Sequence, residues 1–93
     1  MVTDGRRGLE LRNGSPLMDR VTGMGCAVSA LLGAFLAVEP DPYLATVAAL
    51  LVAGVAGDVA AETARGPGSF VPAFLDAVHA LDEGAIIERA RLA

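Results

Sequence analysis

A glycine-rich turn precedes an apolar helix in the stretch VTGMGCAVSALLGAF, residues 21–35, which also holds the chain's single cysteine. The first amide groups of a helix have no acceptor inside it, and together with the helix dipole they form a site for an anion. Gly23 and Gly25 would let a ligand approach the main chain closely. The turn Gly23, Met24, Gly25 and Cys26 is therefore a candidate anion hole, which would stabilise the charge that develops on a phosphoryl group in transfer.

Cys26 has two interpretations on spacing alone. A thiol in the first helical turn would lie beside a bound anion and could accept a proton there. A lone cysteine on an apolar helix is more often a small buried hydrophobic residue. Gly-x-Gly is also common in loops, so this motif leaves both interpretations open.

Composition limits the classes of protein to which the chain can belong. Hydrophobic residues make up 54% of the 93 residues and a further 11 residues are Gly, together about 65% against roughly 45–50% in ordinary globular domains. This excess suggests that lipid, another subunit or further chain normally covers part of the surface. The net charge of −4 argues against a nucleic-acid partner. A single Cys excludes an internal disulfide and is consistent with a reducing cytosol.

Two short extended segments are predicted at the start of the chain. Val2–Asp4 and Leu9–Arg12 flank a glycine-containing turn, and Asn13 and Gly14 form a further turn. Two strands alone are marginally stable in water. The pattern therefore predicts either a hairpin or two edge strands of a larger sheet.

Two long helices are predicted next. Residues 23–38 are a loop entering a helix that is apolar all round, as expected of a helix buried on every side. Asp41 and Pro42 cap and begin a second helix, which should run to about Arg65. Small residues recur along it every four positions and form a ridge for close helix packing: Ala45, Ala49, Ala53, Gly57 and Ala61.

Asp58 ends the longest apolar run of the second helix. That run, residues 43–57, is shorter than the roughly 20 residues that span a bilayer, so the sequence disfavours a membrane span. Asp58, Glu62 and Arg65 form a polar stripe at the far end of this helix. Among all charged residues, Asp58 is the one for which we expect a specific partner.

Two shorter helices complete the predicted elements. Ser69 is expected to cap a third helix, Phe70–Leu81, and Asp82 a last one that ends near Arg91. The buried face of the third helix should comprise Phe70, Phe74, Ala77, Val78 and Leu81. A hairpin with four helices resembles one end of an α/β layer protein.

The order of these motifs is similar to that of the C-terminal part of hydroxyethylthiazole kinases. The resemblance covers nearly the whole chain and rests on VTDG, NGSPLMDRVTGMGCAVSALLGAFLAV, GVAGDVAAETARGPGSF and FLDAVHAL. It implies an α/β ribokinase-like fold for the full-length protein. Residues 1–93 would be the C-terminal segment of that kinase domain, with edge strands in 1–14 and a helical part in 23–93 that includes the anion-hole turn.

The resemblance also implies an activity. A phosphoryl group would pass from ATP, with Mg²⁺, to the hydroxyl of 4-methyl-5-(2-hydroxyethyl)thiazole in thiamine biosynthesis and salvage. The enzyme would be a cytoplasmic homotrimer with its active site at a subunit interface and no membrane or nucleic-acid partner. By position, Gly23 matches the substrate-binding glycine, Gly25 the second glycine of the anion hole, and Cys26 the catalytic-base position. Met24 replaces the usual Thr, so a hydroxyl contact to phosphate is lost.

Two alternatives to the kinase remain open at this point: a non-catalytic helical interaction module derived from such an enzyme, and a membrane-associated helical hairpin. Residues 65–69 fit either a phosphate-binding loop or a helix stop followed by a helix cap. His79 is expected to be a surface or partly buried helix residue. Arg6 and Arg7 are expected to be solvated turn residues.

Overall fold

The structure, a computed structural model, describes residues 1–92. Two short strands, β1 and β2, are followed by one 3-10 helix and four α-helices, α1 to α4. The strands span Val2–Thr3 and Gly8–Leu9, the 3-10 helix Pro16–Arg20, and the α-helices Met24–Val38, Pro42–Thr63, Pro67–Ala80 and Glu83–Arg89. The predicted hairpin and four helices are confirmed, whereas the 3-10 helix has no counterpart in the sequence prediction.

The hairpin is shorter than predicted because its second segment changes partner. Val2 pairs with Leu9 in an antiparallel ladder that ends there. Leu11 then forms an antiparallel bridge to Leu92, and Arg12 N donates a hydrogen bond to the carbonyl of residue 91 at 2.9 Å. The segment after the hairpin is therefore held by residues from the far end of the chain.

Arg7 is exposed, as the sequence predicts, but it also has specific partners that the sequence does not predict. Its guanidinium donates to both carboxylate oxygens of Asp41, at 2.9 and 3.1 Å, and its Nε donates to Asp4 at 2.9 Å. The guanidinium carbon also lies 4.4 Å from the centre of the Tyr43 ring. Since Asp41 caps α2 by accepting from Tyr43 N, Arg7 fastens the hairpin to the start of that helix.

Helix α2 forms the centre of the fold, with α1 and α3 packed against it. The predicted ridge of small residues is confirmed: Ala45, Ala49, Ala53 and Gly57 are buried and Ala61 is half-buried. Helix α2 is long and apolar enough to span a bilayer by length and composition, and 44% of its apolar window is buried inside the protein. Its role within this fold is that of a core helix.

Helix α3 completes the core with two stacked aromatic rings. Phe70 and Phe74 are almost fully buried, with ring centroids 5.9 Å apart, and they pack with Ala77 against alanines of α2. The prediction that Ser69 caps this helix is wrong. The helix begins at Pro67, because proline suits the first helical position, and Ser69 Oγ accepts from Arg65 N inside the first turn.

Helix α4 begins as the sequence predicts and ends sooner. Asp82 caps it, since its carboxylate accepts from Ala85 N at 2.8 Å. The helix ends at Arg89, two residues before the predicted limit, and the chain then turns back toward the segment after the hairpin.

The prediction that α1 is buried on every side is wrong for this chain. Every residue of α1 is exposed or half-buried. Val28 and Leu31 face the core, whereas Leu36 and Val38 on the outer side are 46% and 79% exposed. An all-apolar pattern indicates that a helix is covered, but it does not indicate which part of a protein covers it.

Candidate functional site

The turn before α1 begins the helix with a glycine in a left-handed backbone conformation. Gly23 is the N-cap of α1 and adopts φ 88°, ψ 0°, a left-handed conformation that glycine reaches without steric cost. Its carbonyl accepts the first full helical hydrogen bond, from Ala27 N at 3.0 Å. The amides of residues 24–26 have no carbonyl acceptor within the helix, and no side chain caps them.

The space in front of this turn is open within residues 1–92. A Cβ atom built on Gly23 or Gly25 would meet no atom of the described chain within 4 Å. Cys26, two residues into α1, is exposed. The structure therefore excludes the buried hydrophobic role for this cysteine within the described chain. It places an accessible thiol beside uncapped helix amides.

A cleft of about 550 Å³ borders the turn. One wall is the loop and 3-10 helix segment from Asn13 to Asp19, and the other is the first turns of α1 with Met24, Gly25 and Val28. Polar groups from the loop and apolar side chains from both walls line it. Met24 and Gly25 of the candidate anion hole therefore line a cleft large enough for a small molecule, whereas Gly23 and Cys26 lie outside its lining.

Asp58 has the specific partner that the sequence predicts for it. Its carboxylate accepts from Asn13 Nδ2 at 2.7 Å, from Gly14 N at 3.0 Å and from Arg91 Nη2 at 3.1 Å. Asn13, which the sequence predicts only to be a turn residue, lies at the centre of this network.

The weaker candidates stay apart from this arrangement. In residues 65–69, Ser69 Oγ bonds Arg65 N and the carbonyl of Gly66, which is the pattern of a helix start. His79 is exposed near the end of α3. Within residues 1–92, no three His, Cys, Asp or Glu side chains lie close enough together to hold a metal ion.

Comparison with known proteins decides the family. The model of the hydroxyethylthiazole kinase family matches residues 1–84. The chain belongs to the hydroxyethylthiazole kinase family. Among curated relatives, the hydroxyethylthiazole kinases of Cereibacter sphaeroides and Granulibacter bethesdensis are 57% and 53% identical over 98% and 97% of this chain.

A solved structure shows the same arrangement of the chain. The hydroxyethylthiazole kinase of Pyrococcus horikoshii OT3 superposes with a TM-score of 0.92 and 43% sequence identity over 98% of this chain. That match covers 35% of the archaeal chain, and the chain spans 34% and 33% of the two bacterial relatives. Residues 1–93 therefore correspond to about a third of a full-length family member.

Proposed function

We propose that this chain forms the phosphate-binding and proton-accepting part of a hydroxyethylthiazole kinase. The reaction is transfer of a phosphoryl group from ATP to the hydroxyl of 4-methyl-5-(2-hydroxyethyl)thiazole, in thiamine biosynthesis and salvage. The proposal rests on one observation. Gly23, in a left-handed conformation, starts a helix whose first amides have no side-chain cap, and the exposed Cys26 lies in that first turn. Family membership supports the choice of substrate.

Each residue of the turn has a separate task in this proposal. The backbone amides of Met24, Gly25 and Cys26 donate to oxygens of the phosphoryl group as negative charge grows on them, and the positive end of α1 adds to this stabilisation. Gly23 has no side chain, so the substrate can approach the backbone closely. Met24 contributes an amide only, because its thioether has no hydroxyl to donate.

Proton transfer completes the step. Cys26 Sγ, as the thiolate, accepts the proton of the alcohol while the alcohol oxygen forms its bond to phosphorus and the bond to the departing ADP oxygen breaks. ATP supplies the transferred group when it is bound. The backbone amides of residues 24–26, which no side chain caps, are donors that suit the oxygens of a phosphoryl group.

We further propose that the full-length protein is a ribokinase-like α/β enzyme of the cytoplasm, assembled as a homotrimer. In this arrangement residues 1–93 form the C-terminal segment of the kinase domain. The exposed apolar side chains at the end of α1, Leu36 and Val38, support additional cover by further chain or by another subunit.

A chimeric enzyme tests the proposal. The matching third of the full-length Cereibacter sphaeroides relative is replaced by this chain, and phosphorylation of the thiazole alcohol is measured with ATP and Mg²⁺. Loss of the general base by Cys26→Ala should lower kcat by about 10²–10⁴-fold and leave the KM for the alcohol nearly unchanged. Cys26→Asp, which restores a proton acceptor, should recover much of the rate.

Ser29→Ala is the matched control, since Ser29 is an exposed residue of similar size one turn further along α1. It should leave both kinetic constants unchanged. A wild-type kcat for Cys26→Ala would remove the cysteine from the reaction and leave the backbone amides alone. An inactive chimera that is folded and trimeric would favour the alternative of a non-catalytic interaction module.

A further inference from the structure

One face of α2 packs against the loop that precedes the glycine-rich turn of residues 23–26, which we call the anion turn. Gly54, Gly57 and Asp58 lie three and four positions apart and therefore share a face of the helix. A Cβ at Gly54 would lie 2.9 Å from both the Cβ and the carbonyl oxygen of Asn13, and one at Gly57 would lie 2.6 Å from Met18 Sδ. The loop and the 3-10 helix therefore lie directly against the bare backbone of α2.

Asp58 fixes this loop with both of its carboxylate oxygens. Oδ1 accepts from Gly14 N, and Oδ2 accepts from Asn13 Nδ2 and from Arg91 Nη2. Its side chain is only 19% exposed, so these hydrogen bonds replace most of its contact with water. Hydrogen bonds to an ionised, largely desolvated carboxylate are stronger than those between neutral groups.

Asn13 is held on its other side as well. Its Nδ2 also donates to the carbonyl of Arg89 at 2.8 Å, and its Oδ1 accepts from Arg91 N at 2.6 Å. The carboxamide therefore has partners at both of its ends. The position of Asn13 relative to α2 is therefore fixed, and Asp58 is the residue of α2 that fixes it.

The loop held in this way is one wall of the cleft beside the anion turn. Asn13, Gly14 and Met18 lie on that wall, and Met24 and Gly25 lie on the opposite one. The width of the cleft therefore depends on the contacts between α2 and the loop. A wall that moves holds the acceptor alcohol less precisely against the phosphoryl group, so that water can react in its place.

We propose that Asp58 is a positioning residue for phosphoryl transfer, because it holds Asn13 and Gly14 in the lining of the cleft that Met24 and Gly25 share and so fixes the acceptor alcohol against the transferred group. The inference rests on the proposed kinase function. It predicts that loss of this carboxylate lowers the overall rate and also lowers the selectivity for the alcohol over water as the phosphoryl acceptor.

The test measures two products in the chimeric full-length enzyme: ADP, and the phosphorylated thiazole alcohol. Asp58→Asn leaves one acceptor oxygen where there were two, so the side chain can no longer give Asn13 Nδ2 and Gly14 N an acceptor oxygen each. Alcohol phosphorylation should fall by about 10–100-fold, as expected for a misplaced catalytic wall. ADP formation should fall less, so that the ratio of ADP to phosphorylated alcohol rises above one.

Glu62→Gln is the matched control. Glu62 lies one turn further along α2, pairs with Arg89 and does not line the cleft. It should keep the product ratio at one. The exchange variant Asn13→Asp with Asp58→Asn returns a carboxylate and a carboxamide to the same contact and should recover part of the coupling, which a general loss of stability would not allow.

Amide hydrogen exchange at Gly14 supplies a reading that does not depend on turnover. Asp58→Asn should speed exchange at this amide, and Glu62→Gln should not. If Asp58→Asn yields too little folded protein, Asn13→Ser provides the same comparison with the carboxylate in place. Equal product ratios in the Asp58 and Glu62 variants of an active enzyme would overturn this inference alone. An inactive parent chimera would overturn the proposed function and the catalytic part of this inference with it.

Discussion

Gly23 carries a backbone angle that few other residues tolerate, and its replacement should harm binding more than folding. A branched residue at φ 88° costs about 1–3 kcal/mol of strain, and its side chain would fill the space that the substrate needs. In the chimeric enzyme, Gly23→Val should therefore raise the KM for the thiazole alcohol, measured by steady-state kinetics.

Gly33→Ala is the control for this prediction. Gly33 lies mid-way along α1 with open space around it, so alanine there should stabilise the helix by up to about 1 kcal/mol without changing KM. An unchanged KM in Gly23→Val would mean that the substrate does not approach the backbone at this glycine.

The contact between Arg7 and two carboxylates makes the docking of the hairpin sensitive to acid. Hydrogen bonds from the backbone amides of Arg7 and Arg6, and from the Arg7 side chain, lower the pKa of Asp4 from 3.8 to about 2. The Arg7 side chain likewise lowers the pKa of Asp41. Because both values fall on folding, the stabilisation is complete above the ordinary aspartate pKa of about 3.9 and is lost as pH falls toward 2.

Ring-proton chemical shifts of Tyr43 should report this transition, since the guanidinium of Arg7 lies over the ring. They should be constant from neutral pH down to about pH 4 and change below it. Arg7→Gln should give the acid values already at neutral pH. Arg6→Gln, a change in the same turn, should not, and wild-type shifts in Arg7→Gln would contradict the proposed docking role.

At the level of single residues, the sequence predicts the turn better than its surroundings. Gly23, Gly25 and Cys26 are recognisable because glycine spacing and a helix start are local properties. Asn13 and Arg7 are not, because their partners are Asp58 and Asp41, 45 and 34 residues away. No local pattern specifies which of several carboxylates an exposed-looking polar residue will meet.

Helix α2 is the element on which the fold depends, and its small residues should not tolerate enlargement. Ala53 is 2% exposed and belongs to the core cluster with Phe70 and Phe74. Ala53→Leu should overpack this region and lower the free energy of unfolding by about 1–3 kcal/mol, measured by denaturant titration of the full-length chimera.

Ala37→Leu makes the same change at an exposed position of α1 and should alter the free energy of unfolding by less than about 0.5 kcal/mol. Equal effects of the two substitutions would mean that the ridge on α2 is loosely packed. The periodicity of small residues that predicts this ridge is read directly from the sequence, which is why the prediction and the structure agree there.

Helix α1 shows the limit of that approach. Its apolar residues predict burial on every side, yet nine of its 15 residues are exposed and the other six are half-buried in residues 1–92. The start of α3 shows a smaller limit, since Ser69 and Pro67 are both acceptable helix-start residues and proline sets the boundary. Both errors arise because composition specifies a preference and the neighbouring chain decides the outcome.

As a whole molecule, the 93-residue chain exposes large apolar side chains that a stable monomer would cover. Val38 and Ile87 are 79% and 70% exposed. We expect the chain by itself to self-associate or to bind a hydrophobic dye strongly, and the full-length chimera to bind much less dye per molecule. Sedimentation as a sharp monomer with no dye binding would show that these side chains need no partner.

The hydrogen bond from Arg91 N to Asn13 Oδ1 can form only after the ribosome has added both residues. The two residues are 78 positions apart, so a ribosome working at roughly 5–20 residues per second adds the second about 4–16 s after the first. Over that interval the anion turn and α1 are complete in sequence, but the loop that faces them still lacks its anchor at Arg89 and Arg91. A ribosome that stalls before Arg89 would therefore carry a nascent chain in which Asp58 can hold Asn13 and Gly14, whereas the contacts of Asn13 with Arg89 and Arg91 cannot yet form.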